Sequence, residues 1–247
     1  MQIRLLAALE RPLQRQLRAE LQRVGRAAAQ AIADGHNNPV AHALEGHSRR
    51  VEAILRAHYL AAARRFGLRI LDELGKRGGL PAETKDTQGQ FLTLVEAWIT
   101  RRAAERVTDI ADTTRGQIVE ILRAGVAAGD SLPAMSKRMV EETGRLSRVR
   151  AARIARTESH TAANAASVQA VESTGLELSK EWIAAGGERT RADHAAANGQ
   201  VRARNDAFDV GGAKLMYPGD PDGPAAQIIN CRCAIGWLTQ RPSERRT

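Results

Sequence analysis

Cysteine, aromatic residues and long apolar runs are all scarce in this chain of 247 residues. Its two cysteines, Cys231 and Cys233, are separated by one residue. A disulfide across so short a span is strained, which excludes a disulfide framework. Aromatics make up 3% of the chain, which argues against an aromatic-rich sandwich and favours close-packed helices. No stretch approaches the ~18–20 apolar residues of a membrane span. The opening run from Met1 is too short for a secretory signal, and Arg11 interrupts it. A chain made and folded in the cytosol is the expectation. No glycine-rich phosphate loop, His-Glu-x-x-His or His-x-Glu motif occurs, so the nucleotide-binding and zinc-hydrolase classes those motifs mark are not indicated.

Alanine and arginine are abundant instead. The net charge is +9, a balance suited to DNA phosphates or an acidic protein surface, and also to an ordinary Arg-rich proteome. Leu13, Leu17, Leu21 and Val24 form one stripe on a helix over residues 1–35. Arg15, Arg18, Arg23 and Arg26 fall mainly off that stripe, as a basic arm or a solvated face. Gly35 to Pro39 breaks the helix. Further helices are predicted near 48–74, 88–106 and 109–128, with a flexible connection at 75–86. Ser131 is a predicted N-cap for a short helix ending at Gly144. A long Ala-rich helix follows over 146–173.

After Gly175 the pattern becomes strand-like. Leu176, Leu178, Lys180 and Trp182 alternate with polar residues. Thr190 to Asp193 has the form of a capping box, Asn198-Gly199 signals a turn, and residues 201–208 read as a strand. Cys231, Cys233, Ile235 and Trp237 alternate in a final strand. The fold class expected is α+β: a predominantly helical N-terminal two-thirds with a small mixed α+β C-terminal domain. The division expected is a helical region over 1–107, a second domain over 108–240 (helices to 175, then a cap) and a disordered tail over 241–247.

Three constellations could carry chemistry. His194 with Cys231 and Cys233 offers zinc-type ligands, a thiol–imidazole pair, or two small buried apolar residues beside a histidine. Glu188, Arg189, Arg191, Asp193 and His194 form a charged cluster, for phosphate or proton transfer or as a salt-bridged turn. Arg145, Arg148, Arg150, Arg153 and Arg156 lie within twelve residues and are candidate DNA or partner contacts. No aromatics interleave them, which excludes base-stacking recognition of single strands. Arg156 or Glu158 is expected to reach the terminal domain through an ion pair.

In order, Arg156-Thr157-Glu158, Trp182, Arg189 and Arg191 leading to His194, then Gly199, and finally Cys231-Arg232-Cys233 resemble the phage Mu F-like head morphogenesis family, from about Thr108 to Trp237. The resemblance implies a non-enzymatic minor head protein of a tailed phage or prophage. Such a protein is made in the host cytoplasm and lies inside the capsid near the portal vertex. Its implied partners are the portal protein and the major capsid or scaffold protein, with packaged DNA met through basic patches and no membrane engaged during assembly. Many relatives carry a further Cys where this chain has Arg191, and a His near Ile228. The implication here is no cofactor: zinc at His194, Cys231 and Cys233 gives way to a hydrogen-bonded, ion-paired core involving Arg191. Two other classes stand beside this reading. One is a metal-dependent hydrolase or nucleotide-modifying enzyme using His194 with the cysteines. The other is a general DNA-binding protein.

Overall fold

Helix α1 covers Gln2–Ala33, and the predicted stripe is its buried face: Leu13, Leu17, Leu21 and Val24 are all buried, while Arg15, Arg18 and Arg26 are exposed. The computed structural model describes residues 2–76 and 84–238. Most of the connection expected at 75–86, and the tail at 241–247, lie outside the described residues. After α1 come α2 (Pro39–Leu44), capped by Asn38, and α3 (His47–Ala62). A π-helical turn over Ala63–Gly67 leads into α4 (Leu68–Lys76). Gly67 is required there, because a Cβ would overlap the Phe91 ring.

Two expected helix breaks are absent. Helix α5 runs unbroken over Thr84–Ala127, where two helices meeting near residue 107 were predicted. No Gly or Pro stands between Arg106 and Asp109 to stop it. Helix α6 runs over Leu132–Ser173, straight through Gly144. A glycine inside a helix costs only about 1 kcal/mol, and the faces buried on either side of it outweigh that. Ser131 is the N-cap, its Oγ accepting from the Ala134 amide at 3.4 Å.

The chain clusters into two compact units, one of Ala7–His58 with Ile99–Ala155, the other of Met1–Leu6, Tyr59–Trp98 and Arg156–Thr247. The first unit is helical. Val24, Ala28, Ile32, Ala43, Ile118 and Met139 belong to its core. Gly25 lets α1 approach Thr143 so closely that a Cβ would overlap that side chain. Glu20, 6% exposed, accepts from Arg23 Nε at 2.9 Å and Arg50 Nε at 3.1 Å, and its Oε1 lies 2.8 Å from His47 Nδ1. Burial alone would raise this carboxyl, but the hydrogen bonds from His47, Arg23 and Arg50 prevail and hold its pKa at about 2.

The second unit is α+β. Strands β1 (Ser179–Ile183), β2 (Val201–Ala203) and β5 (Ala234–Leu238) form an antiparallel sheet in the order β2-β1-β5. Between β2 and β5 in the chain, β3 (Phe208–Val210) and β4 (Ala213–Leu215) make a hairpin. The single strand expected over 201–208 is thus two, separated by a turn. Short helices α7 (Ala192–Ala196) and α8 (Ala225–Ile228) complete the unit. Trp182, Phe208, Val210, Leu215, Cys231 and Cys233 are buried together. Lys180 is buried beside them, its Nζ donating to the Met216 carbonyl at 2.8 Å and lying 5.2 Å from the Phe208 ring centre.

Candidate functional site

The C-terminal stretch of α6 is buried yet polar, and its side chains fasten the loops around the site. Asn230 N–H donates to Thr157 Oγ1 at 3.0 Å. Thr161 Oγ1 donates to the Gly219 carbonyl at 2.8 Å. Asn164 Nδ2 donates to the carbonyls of Pro218 (2.9 Å) and Cys233 (3.1 Å), while its Oδ1 accepts from Ile235 N–H at 3.2 Å. Trp237 Nε1 donates to Ser167 Oγ at 2.8 Å. Thr157, Thr161 and Asn164 are spaced four and three apart and so share one helix face. Thr161, Asn164 and Ser167 escaped the sequence reading. Their signal was this polar spacing inside an otherwise Ala-rich stretch.

Of the predicted motif residues, Glu158 accepts from the Tyr59 hydroxyl at 2.8 Å, and Arg156 Nη1 donates to Asn230 Oδ1 at 3.1 Å. Arg156 therefore does reach the terminal segment, through a neutral amide. Asn230 holds φ +60 to present that amide, a left-handed conformation Asn tolerates better than most residues. Trp182 is fully buried, with the rings of His194 (5.5 Å) and Phe208 (5.4 Å) edge-on to it. Gly199, at φ +76, donates its N–H to the Trp182 carbonyl at 2.8 Å. A side chain at Gly199 would strain the turn that returns the chain to β1.

The predicted capping box does not form. Arg191, not Thr190, is the N-cap of α7, and it makes no side-chain cap. Thr190 Oγ1 donates backwards to the Gly186 carbonyl at 2.8 Å. Asp193 instead accepts from Gln227 Nε2 at 2.9 Å. The ion-paired core expected at Arg191 is corrected too: its Nη2 donates to the Ile229 carbonyl, and no carboxylate pairs with it among the described residues. A backbone oxygen is what the adjacent loop offers a guanidinium here.

His194, Cys231 and Cys233 do come together. All three are about 2% exposed, and their ligand atoms lie within 4.8 Å of one another. The cysteines precede β5 and are not part of it. His194 Nδ1 lies 3.4 Å from Cys233 Sγ and 3.6 Å from Cys231 Sγ. His194 Nε2 lies 2.9 Å from Gln227 Oε1. Nε2 thus faces the Gln227 amide oxygen while Nδ1 faces the two sulfurs. Gln227 was not foreseen, and nothing in its spacing marks it. The Cys231 thiol hydrogen-bonds the Cys233 sulfur. That contact pulls Cys233 below a free thiol, against the effect of burial and with help from His194, and it pushes Cys231 up. The donor chemistry suits zinc, with three of the four positions a closed site needs. No other His, Cys, Asp or Glu joins the group among the described residues.

Above the cluster opens a cavity of about 300 Å³, walled by Arg156, Arg189, Arg191 and Arg232. Gly186 and Gly187, at φ +70 and +85, turn the loop that carries Arg189 to its rim.

Residues 116–236 match the family described as Phage Mu protein F like protein. The match covers just under half of the chain, and that segment is similar to the family. No curated protein and no solved structure matches the chain. Every motif residue quoted for the resemblance falls inside the Mu F-like segment. Arg156, Trp182, His194 and the two cysteines, scattered along it, are assembled around one cluster and its cavity.

The arginine run on α6 divides. Arg145, Arg148 and Arg153 are exposed, with Arg145 Nη2 paired to Glu142 at 2.7 Å. Arg150 is 5% exposed and is not a surface contact. Its Nη1 donates to Thr114 Oγ1 and its Nη2 to the Ile110 carbonyl, both at 2.8 Å. Burial, with Arg153 and Arg106 nearby, lowers its pKa to about 10. It points inward because α5 supplies oxygens at that level of α6.

Proposed function

We propose that this protein is a non-enzymatic minor head protein of a tailed phage or prophage, lying inside the capsid at the portal vertex and touching packaged DNA. The family match over residues 116–236 carries the reading. Portal protein and the major capsid or scaffold protein are its partners, and its low copy number is offset by repeated contacts on symmetric neighbours. Arg148 and Arg153, exposed on α6, are its DNA contacts. The His194–Cys231–Cys233 cluster serves as a clasp that closes the Mu F-like domain. Two observations favour building material over catalyst: the three groups are buried, and no carboxylate lines the cavity above them to activate a water, among the described residues. No described helix is long and apolar enough to cross a membrane.

Deleting the gene and counting particles and plaques tests the role. Defective or poorly infectious heads are expected, restored by the wild-type gene and also by a His194→Gln variant that folds. Normal infectious particles without the protein would reject the role. Loss of rescue by folded His194→Gln, together with stoichiometric bound zinc and a hydrolytic activity, would favour the enzyme class.

A further inference from the structure

The cavity over the cysteines gathers four guanidiniums in about 300 Å³, with no carboxylate among its described lining. A concave surface lined by arginines and by no described carboxylate favours an anion. The Cys233 sulfur lies at the floor, beside His194 Nδ1. Two of the guanidiniums are held in place. Arg191 is fixed by the Ile229 carbonyl and Arg156 by Asn230, which is itself tied to Thr157. Arg189 stands exposed at the rim on the Gly186-Gly187 turn. Arginine forks arranged in advance around a concavity are the geometry that takes a tetrahedral oxyanion through paired N–H donors. No Phe, Tyr or Trp is among its described lining, and His194 is buried edge-on against Trp182, so it offers no open platform for a base to stack on.

We propose that this cavity is a phosphate-binding site that accepts the phosphate group itself and leaves any attached sugar and base outside. A DNA backbone phosphodiester and a free pyrophosphate share this chemistry. The site stands on its own lining and does not depend on the head-protein role.

The test uses the full-length protein with sodium pyrophosphate and, separately, a short DNA duplex. Calorimetry follows wild type, Arg189→Ala/Arg232→Ala at the rim, and Arg15→Ala/Arg18→Ala on the exposed face of α1 as a charge-matched control. The expected result is saturable pyrophosphate binding, weakened about tenfold or more by the rim pair and unchanged in the control. If duplex DNA competes with pyrophosphate, and the rim pair lowers the salt slope of DNA binding, the backbone is the ligand in both arms. If pyrophosphate binds and DNA does not compete, the site holds and its ligand is a small phosphate. Absence of saturable binding at millimolar pyrophosphate, or equal losses in rim and control variants, overturns the proposal. Particle assembly is measured separately, so either idea can fail alone.

Discussion

The Tyr59 hydroxyl donates a hydrogen bond of 2.8 Å to the Glu158 carboxylate, joining residues 99 apart in sequence where both are buried. A motif residue of α6 is thereby tied to α3. The Tyr59 ring also meets Trp98 edge-on at 5.1 Å. Tyr59→Phe keeps the ring and deletes the donor to a buried carboxylate. The expected cost is about 1–3 kcal/mol, read in urea by tryptophan fluorescence. A variant as stable as wild type would mean that Glu158 is satisfied without Tyr59.

Glu20 makes the helical unit acid-sensitive. Its folded pKa of about 2 lies below the ordinary value of 4.5. The stabilisation is therefore fully present above pH ~4.5 and is lost as pH falls toward 2. Glu20→Gln should cost about 3 kcal/mol near neutrality and flatten the acid limb of the stability profile. An unchanged acid limb in the variant would refute the assignment to Glu20.

Lys180 predicts the opposite limb. Burial lowers its pKa to about 8 from 10.5, against the pull of Asp206 and Asp220. The folded state then releases its proton first as pH rises. The penalty of holding a buried charge is fully present below pH ~8 and is relieved between pH 8 and 10.5, a gain of about 3 kcal/mol. Denaturant titrations across that range should show the rise in wild type and not in Lys180→Met. A parallel rise in both would assign it to another group.

Arg150 and its exposed neighbours should separate stability from DNA affinity. Arg150→Met leaves the Ile110 carbonyl and Thr114 hydroxyl without their donor and should destabilise by about 1–3 kcal/mol. DNA affinity per folded molecule should not change. Arg148→Ala/Arg153→Ala should do the reverse: stability within about 0.5 kcal/mol, and a DNA salt slope shallower by about one to two. Weaker DNA binding by folded Arg150→Met, or none lost in the double variant, would contradict the division.

Helices and their buried faces were legible because periodicity is local. The stripe of Leu13, Leu17, Leu21 and Val24 needs no knowledge of what covers it. The order of Arg156, Trp182, His194 and the cysteines was legible too, as a linear pattern. The continuity of α5 and α6 was not, since a weak stop such as Gly144 is overridden by packing energy that only a folded neighbour supplies.

Sequence by itself indicated the α+β class, the inward face of the first helix and the likeness to the phage Mu F-like family. Tertiary structure alone decided that Arg150 faces inward while Arg148 and Arg153 face water, that Gln227 partners His194, and that four arginines from three segments wall one cavity. The reason is physical. Apolar burial repeats with the helix period and can be read from one strand of text, whereas a guanidinium or an imidazole takes its role from whichever oxygen or sulfur the fold brings within 3–4 Å, and that neighbour is many residues away.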